Sequence, residues 1–338
     1  MTARGELTQR EMVLLRVRDE DGVVGLGEAV PLALRGGVGM REVVGELEGW
    51  GEDQEVQGLS APARCAVGTA LMDLRGRRVG EQLGEGARDE AVECNATLVA
   101  GAPAVVAAEA ERWAQAGFTT FKLKLGAETA NEADIRLGSR SRGADVEQVR
   151  AVRSALGPEA RIRVDANEAW DLETAKATLA ELEPFGIELA EQPVAELEAM
   201  AELAASTSIP LAADESVASL DEAEEAAALG ACSFTGIKLS KVGGAEEALA
   251  IADVLPAYIT SALDGPVGIA AGAQVALSLA ETTHPERLHL AHGLATQRLF
   301  ASTIASVECE LRDGMLHLPP GPGLGVEIDE DALQAHRI

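Results

Sequence analysis

A chain of 338 residues that is 47% hydrophobic can bury a sizeable core, and it exceeds one ordinary compact domain unless that domain is a barrel. Its formal net charge of −28 argues against nucleic acid or an anionic membrane as partner, because the counterion-release contribution would act in reverse. Four cysteines without a CxxC spacing make no disulfide framework and suit a reducing cytoplasm, and no run of the sequence is apolar enough for a signal peptide or a membrane span.

In chain order, residues 12–18 and 23–29 are strand-like runs joined by DEDG, a hairpin signal. Helical apolar spacing follows at 40–50, and Ser60 with Pro62 opens a second helix running to about Arg77. Residues 1–90 therefore read as a small α+β unit. From there short strands alternate with helices, which predicts βα units rather than a helical bundle. Strands one, two, seven and eight are expected at 93–100, 119–125, 257–261 and 287–291. Helices are expected at 103–116, 144–156, 172–183, 195–205, 219–229 and 244–254. The polar stretch 126–143 is an insertion after strand two, readable as a lid or as a surface loop. The tail 304–338, with GMLHLPPGPGLGVEID, reads as an irregular return beyond a catalytic segment at 91–303.

Five apolar segments between 121 and 241 each end in an ionisable residue. FKLKL carries Lys122 and Lys124, RIRVDAN carries Asp165, IELAEQP carries Glu191, IPLAADES carries Asp214, and FTGIKL carries Lys238. The last three steps between these residues, 26, 23 and 24, fit one strand-plus-helix unit each; the first, 41, contains the insertion. Parallel strands would place all of them at the mouth of a (β/α) barrel, where such folds keep their chemistry. Lys122 and Lys124 share a face, as do Arg163 and Asp165.

Singly these motifs are weak. A KxK strand is usually a solvated edge, and an acid ending a strand often caps the next helix. Five at βα spacing would be a costly charge cluster without a task. Three converging carboxylates call for a cation, and all-oxygen ligation suits Mg²⁺, with Mn²⁺ an acceptable substitute. A lysine base near neutral pH needs its pKa drawn from about 10.4 towards roughly 7–8, which burial and a neighbouring cation achieve. A substrate carboxylate also needs donors. The stretch Ser261 to Gly268, with Leu263, Asp264 and Gly265, offers free amides at a helix start, although Asp264 as a plain helix cap is the simpler alternative. Arg163 and Asn167, flanking Asp165, are further candidates for substrate contact.

The ordered motifs KLKLG, VDAN, EQP, ADES and GIKLSKVGG resemble the enolase superfamily, specifically its muconate lactonizing enzyme subgroup, over nearly the whole chain. The resemblance implies a modified (β/α)7β TIM-type barrel with an α+β capping domain. It implies Asp165, Glu191 and Asp214 as Mg²⁺ ligands, Lys124 and Lys238 as acid/base residues, and Lys122 as the supporting lysine. It also implies proton abstraction α to a carboxylate through an enediolate. The capping domain of this family begins with a strand before the TARGEL loop, and Met1 here falls inside that loop. None of the five histidines ends strand seven, where the mandelate racemase branch carries its base. TSALDGPVGIAAG with HGLAT resembles o-succinylbenzoate synthases, whereas HLAHGLAT lacks the Asp-x-Asp pair of dipeptide epimerases. A cytoplasmic synthase acting on a dicarboxylate, monomeric or homo-oligomeric, is the leading expectation. N-succinylamino acid racemase, dipeptide epimerase or cycloisomerase of the same subgroup are the alternatives, and a non-catalytic barrel is a distant one.

Overall fold

In the computed structural model, residues 9–32, 37–51, 55–81, 91–126, 142–280 and 290–338 are described. The expectations for residues 1–8, most of the 126–143 insertion, most of strand eight, His284 and His289 fall outside them. The described chain forms two compact units, one of Cys94–Gly236 and Val254–Pro256, the other of Gln9–Glu93, Ile237–Asp253 and Ala257–Ile338.

The second unit opens with the expected hairpin, β1 (Val13–Arg18) against β2 (Val24–Ala29). Asp19 closes its turn by accepting the Val23 N–H at 2.8 Å. Helices α1 (Met40–Gly49) and α2 (Ala61–Val79) complete a core of Ala29, Val43, Leu47, Ala63, Ala66 and Val67. Strand β2 lies so close on α2 that a Cβ at Gly25 or Gly27 would overlap the backbone carbonyls of Ala70 and Ala66. Asp73 of α2 is fully enclosed and accepts the N–H groups of Leu26 at 2.8 Å and Leu324 at 2.7 Å, besides pairing with Arg77 at 2.8 Å. The run expected as barrel strand one is divided. Its first residue, Glu93, ends β3 (Ala91–Glu93), which begins before the expected run and pairs antiparallel with residues 315–317 of the tail.

The first unit then runs β4 (Ala96–Leu98), α3 (Pro103–Gln115), β5 (Thr120–Lys124), α4 (Arg142–Leu156), β6 (Arg161–Asp165) and α5 (Leu172–Leu182). It continues with β7 (Ile187–Glu191), α6 (Leu197–Ala204), β8 (Leu211–Ala213), α7 (Leu220–Leu229) and β9 (Phe234–Ile237). From β4 to β9 every strand is parallel to its chain neighbour and lies beside it. Phe121, Leu123, Ile162, Val164, Leu189, Ala190 and Leu211 are all buried, which is why these strands read as near-continuous apolar runs. Asp171 and Ser219 cap α5 and α7, and Gly230 ends α7 in the left-handed conformation.

The second unit resumes with α8 (Leu239–Val242), α9 (Ala245–Val254), β10 (Ala257–Ile259) and α10 (Pro266–Ala280). Thr260 N–H donates to Ile237 at 2.7 Å, Gly293 N–H donates to Ile259 at 2.8 Å, and Thr260 and Gly293 form a parallel bridge. The tail holds β11 (Ala305–Val307), β12 (Glu310–Arg312), β13 (Met315–His317), β14 (Glu327–Ile328) and α11 (Glu330–His336), more regular than its prolines and glycines suggested. Among the described residues no helix is long and apolar enough to cross a membrane.

Candidate active site

Strand register places the charged residues at one level. Lys124 is aligned with Asp165, and Asp165 with Glu191, while Asp214 directly follows the last residue of β8. Asp165, Glu191 and Asp214 are each no more than 1% exposed. The Lys122 ammonium lies between two of them, 2.8 Å from Asp165 Oδ2 and 2.6 Å from Glu191 Oε1. Lys124 pairs with the same Asp165 oxygen and donates to Asn167 Oδ1 at 3.1 Å.

The electrostatics follow from this packing. Burial opposes the Lys122 charge, but Asp165, Glu191 and Asp214 outweigh it and raise its pKa. Burial likewise opposes the Asp165 charge, yet Lys122 and Lys124 hold that carboxyl well below the usual range. Glu191 is raised by burial and by Asp165, with Lys122 opposing. Lys122 is therefore a fixed cation in this arrangement.

Two side chains that the sequence did not single out, Gln192 and Glu215, organise the site together with Asn167. The Gln192 carbonyl accepts the Asp214 N–H at 2.8 Å and the Ser216 hydroxyl at 3.0 Å, and its amide donates to Val194 at 2.9 Å. Glu215 accepts from Asn167 Nδ2 at 3.0 Å, so Asn167 joins it to Lys124. Asn167, Glu168 and Gln192 adopt positive φ of 47°, 62° and 39°, a conformation costly for residues with a Cβ and concentrated here just past two strand ends. Side-chain chemistry alone could have flagged Glu215; the backbone turns carry no composition signal.

The remaining candidates have other partners. Arg163 is completely buried with its guanidinium on Glu188, which removes it from substrate contact; a register shift in the β6–β7 ladder accompanies this pair. Lys238 is the N-cap residue of the short α8, without a side-chain cap hydrogen bond, and lies with Asp264 in the second unit. Ser261 accepts from Thr296 at 2.9 Å and from the Asp264 N–H at 2.9 Å, and Leu263 is left-handed with φ 63°. The Gly265 N–H donates to Glu28 Oε1 at 2.6 Å. The helix start expected to take a substrate carboxylate thus takes one from β2. His292 accepts the Ile259 N–H through Nδ1 at 3.0 Å, a structural role.

Three buried carboxylates at the ends of successive parallel strands form a hard, all-oxygen donor set, which fits a divalent ion of the Mg²⁺ type. As they stand, no three acidic, imidazole or thiol groups among the described residues converge as ligands, because Lys122 lies between Asp165 and Glu191.

Lysines and carboxylates at the C-terminal ends of consecutive parallel strands define an enzyme of the (β/α)-barrel class. Residues 105–332 match the family model of the enolase C-terminal domain-like proteins. Over 218 residues the chain is 37% identical to o-succinylbenzoate synthase of Thermobifida fusca, a match covering 64% of this chain and 62% of that relative. It is 31% identical to muconate cycloisomerase 1 of Acinetobacter baylyi, covering 96% and 92% of the two chains. The crystal structure of a muconate lactonizing enzyme from Pseudomonas fluorescens in complex with muconolactone superposes with a TM-score of 0.88 at 28% identity, covering 100% of this chain and 94% of that one. The chain belongs to the enolase superfamily, within its muconate lactonizing enzyme group, and is an enzyme of the lyase and isomerase kind found there.

Proposed function

We propose that the chain is an o-succinylbenzoate synthase, dehydrating 2-succinyl-6-hydroxycyclohexadiene-carboxylate. The observation that carries α-proton chemistry is the pair of lysines on β5, one locked as an ammonium between Asp165 and Glu191 and the other held at Asp165 and Asn167. The 37% identity to the Thermobifida synthase over 218 residues supports dehydration within the group.

In this reading Lys124 removes the α-proton and returns it to the departing hydroxyl, so that a C–H and a C–O bond break and water leaves. Lys122 keeps its charge throughout, and Lys238 supplies a second cation for the developing negative charge. Asn167 aims the Lys124 amine, and Gln192 sets the backbone of Asp214. Asp165, Glu191 and Asp214 would hold Mg²⁺, which when bound would take the substrate carboxylate and stabilise the charge that accumulates on it.

Cycloisomerisation is the second reading, favoured by the 92% coverage of the Acinetobacter enzyme and the 0.88 superposition. A panel assay with Mg²⁺ decides: the synthase substrate, cis,cis-muconate, N-succinyl amino acids and Ala-Glu-type dipeptides. The synthase reading expects dehydration to have the highest kcat/KM. A kcat/KM at least tenfold higher for any other substrate overturns it.

A further inference from the structure

The backbone around Asn167 is fastened to the segment that follows β7. Ala166, Glu168 and Trp170 donate their N–H groups to Glu191, Gln192 and Pro193 at 3.2, 2.8 and 3.3 Å, and the Asn167 N–H donates to Asp165 Oδ1 at 3.0 Å. With its main chain set at φ 47°, Asn167 keeps one freedom that matters to Lys124, the sense in which its side-chain amide faces. That amide is an acceptor at one end and a donor at the other.

Its two neighbours admit only one sense. Lys124 Nζ, which can only donate, reaches Oδ1 at 3.1 Å, and Nδ2 reaches Glu215 Oε1 at 3.0 Å, a carboxylate oxygen that can only accept. Turning the amide over would set its NH2 against the ammonium and its oxygen against the carboxylate. Glu215 is itself held by its flanks. Asp214 and Ser216 both donate their N–H groups to Gln192 Oε1, at 2.8 and 3.2 Å, the Ser216 hydroxyl joins them at 3.0 Å, and the Val217 N–H closes the turn on the Asp214 carbonyl at 3.2 Å. Gln192 is completely buried. A fixed acceptor therefore stands just past β8, with β6 and β7 between it and the strand that carries Lys124.

We propose that Glu215 is a positioning residue for the proton transfer: acting through Asn167, it fixes the sense of that amide and so the line along which the Lys124 amine meets the α-carbon. The assignment rests on Lys124 being the acid/base residue of the proposed reaction. It requires an acceptor oxygen at position 215 and not a charge, which separates it from a carboxylate that serves the neighbouring metal ligands.

Crystal structures and steady-state kinetics of the Mg²⁺-loaded wild type, E215M, E215Q, N167A and the N167A/E215M double variant test it, using the panel substrate turned over fastest. E215M keeps a side chain of similar length and removes the acceptor. It is expected to lower kcat about tenfold or more with KM within about threefold, and to open the Lys124 Nζ to Asn167 Oδ1 separation beyond about 3.6 Å. E215Q keeps the acceptor and is expected to restore kcat to within about threefold of wild type. Since Glu215 acts through Asn167, E215M should lower the kcat of N167A by less than about twofold more. A staple that merely tied β6 to β8 would lower the melting temperature without this split of kcat from KM and without this non-additivity. Should E215M not fold, E215A replaces it with the same criteria. A kcat of E215M within about twofold of wild type, a loss in E215Q as deep as in E215M, or losses that multiply in the double variant overturns the proposal. An opened separation in E215M, in a protein that turns over none of the panel substrates, supports this inference and rejects the proposed function instead; an unmoved amide overturns the inference in either case.

Discussion

Lys122 and Lys124 stand two residues apart on one strand face, yet their partners divide them. Lys122 is enclosed by two carboxylates, while Lys124 is more open and is steered by Asn167. Replacing Asn167 by Ala is expected to lower kcat by roughly 10- to 100-fold with a small effect on KM, since the amine is misaimed and not removed; steady-state kinetics check this. Lys238→Arg keeps the charge but offers no accessible neutral form, so dehydration should survive it in part while any racemisation is lost, as chiral analysis of N-succinyl amino acids would show. Glu28 gives a pH prediction. Burial, then Asp264, push its pKa up from 4.5 to about 8, so between those values the folded state keeps a proton that the unfolded state releases, and stability falls as pH rises. The unfolding free energy of E28Q should therefore gain on that of wild type from about pH 5 to about pH 8, by up to about 1.4 kcal/mol per pH unit, and the gap should stay level above, as urea denaturation at each pH would show. The lysines and acids were legible because each closes an apolar run. Gln192 and the part played by Asn167 were not, because they depend on left-handed turns that no composition rule demands.

At the scale of elements, the βα alternation was legible because strands buried on both faces leave short, unbroken apolar runs between capped helices. The helices at 172–182, 220–229 and 245–254 lie within a residue of their expected bounds. ECNATLVA misled for a physical reason: it is one run in sequence, but its first residue, Glu93, closes an antiparallel ladder with β13 that starts at Ala91, and only Ala96–Leu98 enters the parallel sheet. Nor did the sequence mark Asp73 as a keystone of α2. Its carboxylate ties β2, α2 and the tail, so Asp73→Ala strands two buried N–H groups and the Arg77 guanidinium. A loss of about 3–5 kcal/mol is expected in urea denaturation. Gly27→Ala tests the close approach of β2 to α2, and should cost more than the ordinary exchange of glycine for alanine because the Ala66 carbonyl occupies the space.

For the whole molecule, 56 acidic against 28 basic residues give a surface unsuited to polyanions, and the same excess is concentrated where Asp165, Glu191 and Asp214 meet two lysines. A divalent ion held by the proposed ligands would stabilise the folded state by mass action: at a hundred times its Kd the expected gain is about 2.7 kcal/mol, visible as a rise in melting temperature that Glu191→Gln should diminish. The family was readable from five ordered motifs. Specificity was not, because the turn at 261–265 that seemed open to a ligand is filled by Glu28, a residue more than two hundred positions away. The most direct measurement of the central claim is the initial rate of dehydration of the synthase substrate by wild type and Lys124→Ala, each with Mg²⁺ and after chelation. The account predicts turnover in Mg²⁺-loaded wild type alone, with losses of about 10³-fold or more in the other three samples; full activity in the chelated wild type, or in Lys124→Ala, would contradict it.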